Sequence, residues 1–480
     1  MLKSFSFNII LLLGINLIIK PIYIFGVDAQ VQNVLGESEY GTYFGLFSFC
    51  YLFQVVLDPG LQNYNITSVS KDNSLFYKQF PKVVFSKALL SLLFGGTILL
   101  AAYLFNYSEE NIQLLAKILS LQVFISFALT IRTNLSALGE YWKDSLISVV
   151  DKLVLILIIV YLFYVLKDSS NFNIQDWINY QLIAFGAVIL ISTLSLLPHL
   201  RQLDFNNLFS GIKSLIKSSL PFALVFLLMT LYTKMDGVML YRLLDDNGQE
   251  AGIYAAGFRL YEACNMFAFL FASLLLPMFS AQLKNTNQIK SLCESALRLI
   301  VPFALVAVIA SIFYGEAIMR LIYVEGNQYY GQILAILMCS FFMVSLSYVY
   351  GTLITATAKL KWFNISFIIG ILINWSLNYY LIPLHGAYGA AIATLVTQSF
   401  IIFSQLLISH SLIPLVLNSK LIMQTTLAAS VSIFIFYVLS NYVTGNWILY
   451  LSLSIILSLL VSFLVGLLRF DIAKMVQIKA

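Results

Sequence analysis

The chain has 480 residues, of which 60% are hydrophobic and only 10% are Asp, Glu, Lys or Arg. A soluble domain carries about 25% charged residues because its surface must meet water, so a water-covered globular protein is excluded and lipid must be the main solvent. The 27 basic and 22 acidic residues give a net charge of +5 and are dispersed at the ends of apolar segments, which argues against nucleic-acid binding.

A membrane-crossing helix needs about 20 mostly apolar residues. About fourteen such spans are predicted, at 7–26, 40–61, 83–106, 112–136, 146–166, 178–199, 213–240, 251–282, 291–314, 331–357, 362–384, 387–410, 419–441 and 446–468. The apolar run after Lys3 is too long for the core of a signal peptide, and no Ala-x-Ala-like site follows it, so it is expected to be a retained first helix. Pro21, beside Lys20, predicts a bend in that helix, and Pro221, Pro277, Pro302 and Pro383 can kink later ones. Asp58-Pro59-Gly60 is expected to end the second helix on the inner side, with a gating or packing role as the alternative.

The connections between spans alternate in charge. Taking Lys3 as inside, every second connection carries Lys or Arg: Lys71, Lys78 and Lys82, then Lys143, Arg201 and Lys213, Lys284 and Lys290, Lys359 and Lys361, Lys420, and finally Arg469, Lys474 and Lys479. The others are chiefly acidic, as at Asp28, Glu37, Glu39, Glu109, Glu110, Asp245 and Asp246, with Lys167, Arg242 and Arg320 as exceptions. Positive residues stay inside, so both termini are expected in the cytoplasm.

A repeat is visible. Glu39-Tyr40-Gly41-Thr42-Tyr43 opens the second span and Glu250-Ala251-Gly252-Ile253-Tyr254 opens the eighth, so position 39 maps onto 250 at an offset of 211 residues. Two six-span lobes in the same orientation follow, at 1–210 and 211–412, with spans thirteen and fourteen and a cytoplasmic tail in 413–480. Transporters are built from such parallel repeats, with the substrate path between them.

Polar residues at membrane depth are the candidates for function. Lys20 shares a face with Asn16, four residues earlier; Lys234 precedes Asp236; Arg259 precedes Glu262 by three. By the predicted topology all three cations fall in the outer half of the membrane and can converge on an anion. Snorkelling of the lysines to the outer headgroups and simple pairing of Arg259 with Glu262 are the alternative. Asn374 and Asn378 lie one turn apart and suit either a polar path or bonding between helices. Asp236, Glu262 and these asparagines are also candidates for ion coupling.

Four cysteines (Cys50, Cys264, Cys293, Cys339) and three histidines show no metal-ligand or disulfide spacing, so no metal is expected. No nucleophile elbow, His-Glu-x-x-His or Walker A motif is present, so the chain is expected to be no enzyme and to need no cofactor.

Ile19-Lys20-Pro21-Ile22-Tyr23-Ile24, followed by Leu35-Gly36-Glu37-Ser38-Glu39-Tyr40-Gly41-Thr42-Tyr43, resembles the opening of the polysaccharide transport proteins of the MOP superfamily, which include the O-antigen flippases (Wzx). Gly252-Ile253-Tyr254-Ala255-Ala256, Leu275-Leu276-Pro277-Met278-Phe279, and Pro383 with Gly386-Ala387-Tyr388-Gly389-Ala390-Ala391 extend the likeness through about residue 400. The resemblance implies an all-α membrane protein of two six-helix bundles around a central cavity plus two C-terminal helices, working by alternating access. It implies a substrate of undecaprenyl diphosphate carrying an oligosaccharide, with a proton or sodium gradient open as the coupling source and a polysaccharide polymerase as a further partner. A lipid II flippase of the MurJ type, a MATE-like drug exporter and an O-antigen polymerase or ligase are the competing readings.

Overall fold

A computed structural model describes residues 14, 18–167, 170–205, 208, 212–283, 285–357, 360–413, 419–441 and 445–469. Among these residues there is no strand. In chain order the helices are α1 (Ala29–Leu52), α2 (Gln54–Leu57), α3 (Leu61–Lys71), α4 (Phe76–Leu104), α5 (Glu109–Ala137), α6 (Tyr141–Ile147), α7 (Val150–Val160), α8 (Ile174–Leu200), α9 (Ile212–Leu243), α10 (Gln249–Gln282), α11 (Thr286–Ile322), α12 (Gln328–Ala356), α13 (Lys361–Leu412), α14 (Ser419–Asn441) and α15 (Trp447–Leu464). π-helical turns Ile24–Asp28 and Tyr161–Leu166 lead into α1 and out of α7.

Ten helices among the described residues are long and apolar enough to cross a membrane. One of them, α13, is two spans, because Gly386 breaks it at φ 54°, ψ −133°. Residues 18–35, residues 37–57 and α9 supply three more, bringing the count to the fourteen expected. The first two are separate spans because Gly36 takes φ 78°, ψ 172° inside α1, a conformation that side chains with a Cβ rarely adopt. Helix starts are closed by short polar side chains: Ser108, Asn173, Asn285, Asn327 and Asn446 each accept from backbone N–H groups that have no partner within the helix.

Two corrections to the sequence reading follow from local bonding. The first span does not stop at about Phe25; it stays helical to Leu35, because Asp28 is buried and accepts from the Tyr40 hydroxyl at 2.9 Å instead of lying in an outer loop. Asp58-Pro59-Gly60 interrupts the second span rather than ending it, with Gly60 at φ 83° and helix resuming in α3.

The chain forms two compact units, Met1–Gly252 and Ile253–Ala480. The sequence repeat and the packing thus divide it at different points, because α9, which opens the second repeat, packs along α1, α2 and α3. In the first unit Phe76, Phe80, Leu135, Ile147 and Leu196 form an apolar cluster. In the second unit, α11 to α13 pack in sequence, and the α14–α15 hairpin lies on α11. Ser454, Ser458 and Ser462 form a fully buried stripe on α15, and Ser432 is buried on α14. Small residues allow close helix approach where lipid supplies no hydrophobic drive. The outer surfaces are the reverse, with Leu92 76% and Tyr103 74% exposed, as expected for faces solvated by lipid.

Candidate functional site

Lys20 lies in the turn before the π-helical segment, one residue ahead of Pro21. A proline removes a backbone donor and clashes with the preceding turn, and a π turn follows three residues later. Because the helix runs on to Leu35, Lys20 is 15 residues (35 minus 20) from its outer end, about 22 Å at 1.5 Å per residue. It therefore lies further from the end predicted to face outward than the outer-half position expected.

Its electrostatic neighbours bear this out. They are Lys152, Asp151 and Arg132, residues near the inner ends of the fifth and fourth predicted spans. Lys152 bonds Asp151 at 2.6 Å, and its Nζ stands 5.8 Å from the Tyr23 ring centroid. Arg132 pairs with the Asp144 carboxylate at 3.0 Å and donates to the Asp144 carbonyl at 3.3 Å. Lys20 itself is half-buried and makes no hydrogen bond or ion pair among the described residues. Sequence reasoning missed Arg132 and Lys152, although both stand as charged residues inside predicted apolar spans, which is the signal that could have found them.

The other expected cations have different surroundings. Lys234 Nζ stands 5.6 Å from the Tyr51 ring centroid. Asp236 is buried two residues further along unbroken α9, about 200° around the helix, so the two do not share a face. In the second unit Arg259 pairs with Glu262 at 3.0 Å, one turn along α10. Asn378 donates to Asn374 at 3.1 Å, and both are buried in the first half of α13. In the same unit the Tyr254 hydroxyl reaches Thr394 Oγ1 at 3.5 Å. Asn16 lies outside the described residues.

Asp58 and Pro59 form the break in the second span, and the carboxylate has two roles there. It accepts from the Gln62 amide at 3.3 Å, capping α3, and it pairs with Lys87 of α4 at 2.8 Å. Lys87 is fully buried and also donates to the Ser126 hydroxyl at 2.8 Å and carbonyl at 3.2 Å. The break in one helix is thereby tied to the two helices beside it. Lys87 was not legible as a site residue, since its partners lie 29 residues before it (87 minus 58) and 39 after (126 minus 87).

At the end predicted to face outward the two repeated motifs meet. A Cβ on Gly41 would collide with the Gly248 carbonyl, and one on Gly252 would collide with the Glu37 carbonyl. Under the 211-residue offset, 41 maps onto 252 and 37 onto 248, so the two contacts are symmetry equivalents of one another. Gln32 donates to the Gly252 carbonyl at 2.9 Å, Gln249 to Glu37 at 2.8 Å and Thr42 to the Asn247 carbonyl at 3.2 Å. Backbone against backbone, with hydrogen bonds around it, makes this a closed seam between α1 and the turn that leads into α10.

A family model described as polysaccharide biosynthesis protein matches residues 7–284, more than half of the chain. The chain belongs to that family. No curated protein matches it by sequence. Among solved structures it is similar to a lipid II flippase MurJ in an inward closed conformation, at a TM-score of 0.70 and 16% identity over 97% of each chain. It is also similar to a point mutant of a Vibrio cholerae MATE transporter, at a TM-score of 0.57 and 13% identity over 85% of this chain and 95% of that one. An inward-facing multidrug resistance MATE transporter of the MOP superfamily aligns at 0.57 and 13%, over 81% and 94%. At such identities the likeness establishes the fold alone, one shared with MurJ and the MATE transporters. The protein is thus a multi-pass membrane member of a polysaccharide biosynthesis family with a transporter fold.

Proposed function

We propose that the protein is a flippase that carries an undecaprenyl-diphosphate-linked oligosaccharide, a repeat unit of O-antigen or another surface polysaccharide, from the cytoplasmic to the outer leaflet of the bacterial inner membrane. The observation that carries the reading is Lys20, a cation with no hydrogen-bond or ion-pair partner among the described residues, held at membrane depth in a chain of this family. An intramembrane charge is costly and marks a substrate or ion path. A diphosphate cannot cross hydrocarbon with its hydration shell, and a buried cation replaces that shell. Lys234 and Arg259 are proposed to meet the same anion at other stages of the cycle.

Transport runs by alternating access, with the six-span lobes 1–210 and 211–412 as the moving parts and residues 413–480 as an accessory pair of helices. The closed seam at Gly41 and Gly252 supports an outer gate that opens in turn. Both termini are cytoplasmic, following the alternation of basic and acidic connections. The inside-negative potential favours outward movement of an anion: two charges crossing 100 mV gain about 4–5 kcal/mol. A proton or sodium gradient adds to this through Asp236, Asn374 and Asn378, with no resident cofactor. A polysaccharide polymerase takes the product on the outer side.

Depletion of the protein in its host tests the reading. Complete lipid-linked units accumulating on the cytoplasmic leaflet support it. Units that reach the outer leaflet normally but stay unpolymerised or unattached overturn it in favour of a polymerase or ligase. The likeness to MurJ over nearly the whole chain favours lipid II as a second substrate reading, tested by whether this chain rescues cells depleted of their lipid II flippase.

A further inference from the structure

We infer that the second unit carries a contact site for the glycan itself, built on the Phe269 and Tyr348 rings with Asn265 and Glu262 beside them; this rests on the flippase reading above. Arg259, Glu262, Asn265 and Phe269 fall within about a third of the circumference of α10 at 3.6 residues per turn. That face is open. The Arg259 and Glu262 side chains keep 24% and 36% of their surface, and Phe269 is 56% exposed. A charged pair is costly in hydrocarbon and turns toward a water-filled space, so the ring on the same face meets water rather than lipid tails. The exposed Phe267 and Leu274 lie outside this arc and serve as the lipid contact.

The second ring comes from α12. Tyr348 meets Phe269 edge to face, with centroids 6.3 Å apart and planes at 68°. Phe269 stands 20 residues (269 minus 249) along α10, and Tyr348 stands 20 residues (348 minus 328) along α12. Both are thus about 30 Å from the helix ends predicted to face outward. The Tyr348 hydroxyl makes no hydrogen bond among the described residues. One turn from Phe269, the Asn265 side-chain oxygen is buried, again with no hydrogen-bond partner among the described residues. A buried acceptor left unpaired is costly, and what it lacks is a donor such as a sugar hydroxyl.

These groups suit a sugar ring. Its apolar C–H face packs on the negative face of an aromatic ring, and its hydroxyls bond amides, phenols and carboxylates around the edge. Aromatic walls with a few placed polar groups are the general build of a small-molecule site. Charge argues against a drug cation, because Arg259 holds Glu262 at 3.0 Å and leaves the face without net charge. Glu262, Asn265 and Phe269 follow one another at steps of three and four residues, about 10 Å along the axis, which gives room for more than one sugar.

The test is equilibrium binding to the full-length protein in nanodiscs. Undecaprenyl diphosphate bearing one N-acetylglucosamine is read against undecaprenyl diphosphate without sugar. The native protein is expected to prefer the sugar-bearing lipid about tenfold. Phe269→Leu, which keeps apolar volume and loses the ring, should remove most of that preference and leave affinity for the bare lipid unchanged. Phe269→Trp should keep the preference, and Tyr348→Phe should lower it severalfold through the lost hydroxyl. A preference that stays at the native value in either Phe269→Leu or Tyr348→Phe, with normal thermal unfolding, overturns the inference. Equal weakening of both lipids in Phe269→Leu also overturns it and puts the ring on the prenyl chain. Equal binding of the two lipids by the native protein overturns it too, while the flippase reading stands on binding of the bare lipid and on the depletion experiment. Binding of neither lipid sinks the flippase reading as well.

Discussion

Replacing Arg298 is expected to loosen the two C-terminal helices while leaving the rest of the second unit in place. Arg298 stands near the start of α11, with a side chain only 7% exposed. Its Nε and Nη2 donate to Glu294 at 3.1 and 2.7 Å, and its Nη1 donates to Gln424 Oε1 at 2.9 Å and to the Gly466 carbonyl. Gln424 in turn donates to the Val465 carbonyl at 2.8 Å. One guanidinium thus joins the start of α14 and the turn after α15 to α11. In Arg298→Leu, Glu294 is 37% exposed and can turn to water, but Gln424 Oε1 and the Gly466 carbonyl lose their donor at a buried position. Each orphaned acceptor costs about 1–3 kcal/mol, and breaking a buried charged contact from one side costs about 3–5 kcal/mol. The lower figure of about 3 kcal/mol corresponds to roughly a hundredfold in a local opening equilibrium. Amide hydrogen exchange on the protein in nanodiscs reads this directly: α14 and α15 are expected to exchange about a hundredfold faster, with α12 unchanged. Arg298→Lys, which keeps the charge and loses the planar fork, falls between. Exchange in α14 and α15 within twofold of the native protein would show that the serine-lined packing alone seats these helices, and the reasoning fails.

Three further outcomes are expected. Gly41→Leu forces backbone apart at the outer seam, a strain of about 1–3 kcal/mol or more; a disulfide engineered between Thr42→Cys and Asn247→Cys should form readily in the native background and about tenfold less in this one. Lys87→Met strands the Asp58 carboxylate at about 3–5 kcal/mol and should lower the midpoint of thermal unfolding clearly, while the Asp58→Asn, Lys87→Met double variant should recover at least half of the loss; no recovery would mean the ion pair is not what stabilises the break. Gly386→Ala places a Cβ on a backbone at φ 54°, ψ −133°, which costs about 1–3 kcal/mol and should appear as a lower unfolding midpoint; an unchanged midpoint would show that the break carries no such strain.

What the sequence disclosed and what it hid divide along a physical line. Hydropathy runs and charged connections are local quantities, so the all-helical membrane class, the number of spans and the repeat at 39 and 250 could be read directly. Contacts across sequence could not. Asp28 looks like a loop residue until Tyr40 is found against it, and that single bond moves the end of the first span and the depth of Lys20. Lys87, Arg132, Lys152 and Arg298 stood inside predicted spans, yet their use depends on which neighbour faces them, and no periodicity states that. Conversely, the pairing of Arg259 with Glu262 and of Asn374 with Asn378 was legible because residues three or four apart on one helix must be neighbours.

The seam has a consequence for which substitutions the chain can carry. A contact in which residue 41 meets 248 while 252 meets 37 is isologous: it is what two copies of one polypeptide make about a twofold axis. In a homodimer, a substitution in that patch acts twice, so a change that one side tolerates is vetoed by the other. Fusion into a single chain lifts the veto. Glu37 and Gly248 occupy equivalent places, one offering a carboxylate to Gln249 and the other only backbone. Glycine stands at both 41 and 252, where both sides need bare backbone, and the pair beside them differs. A single chain carrying both motifs can therefore differ at 37 and 248 while staying bare at 41 and 252.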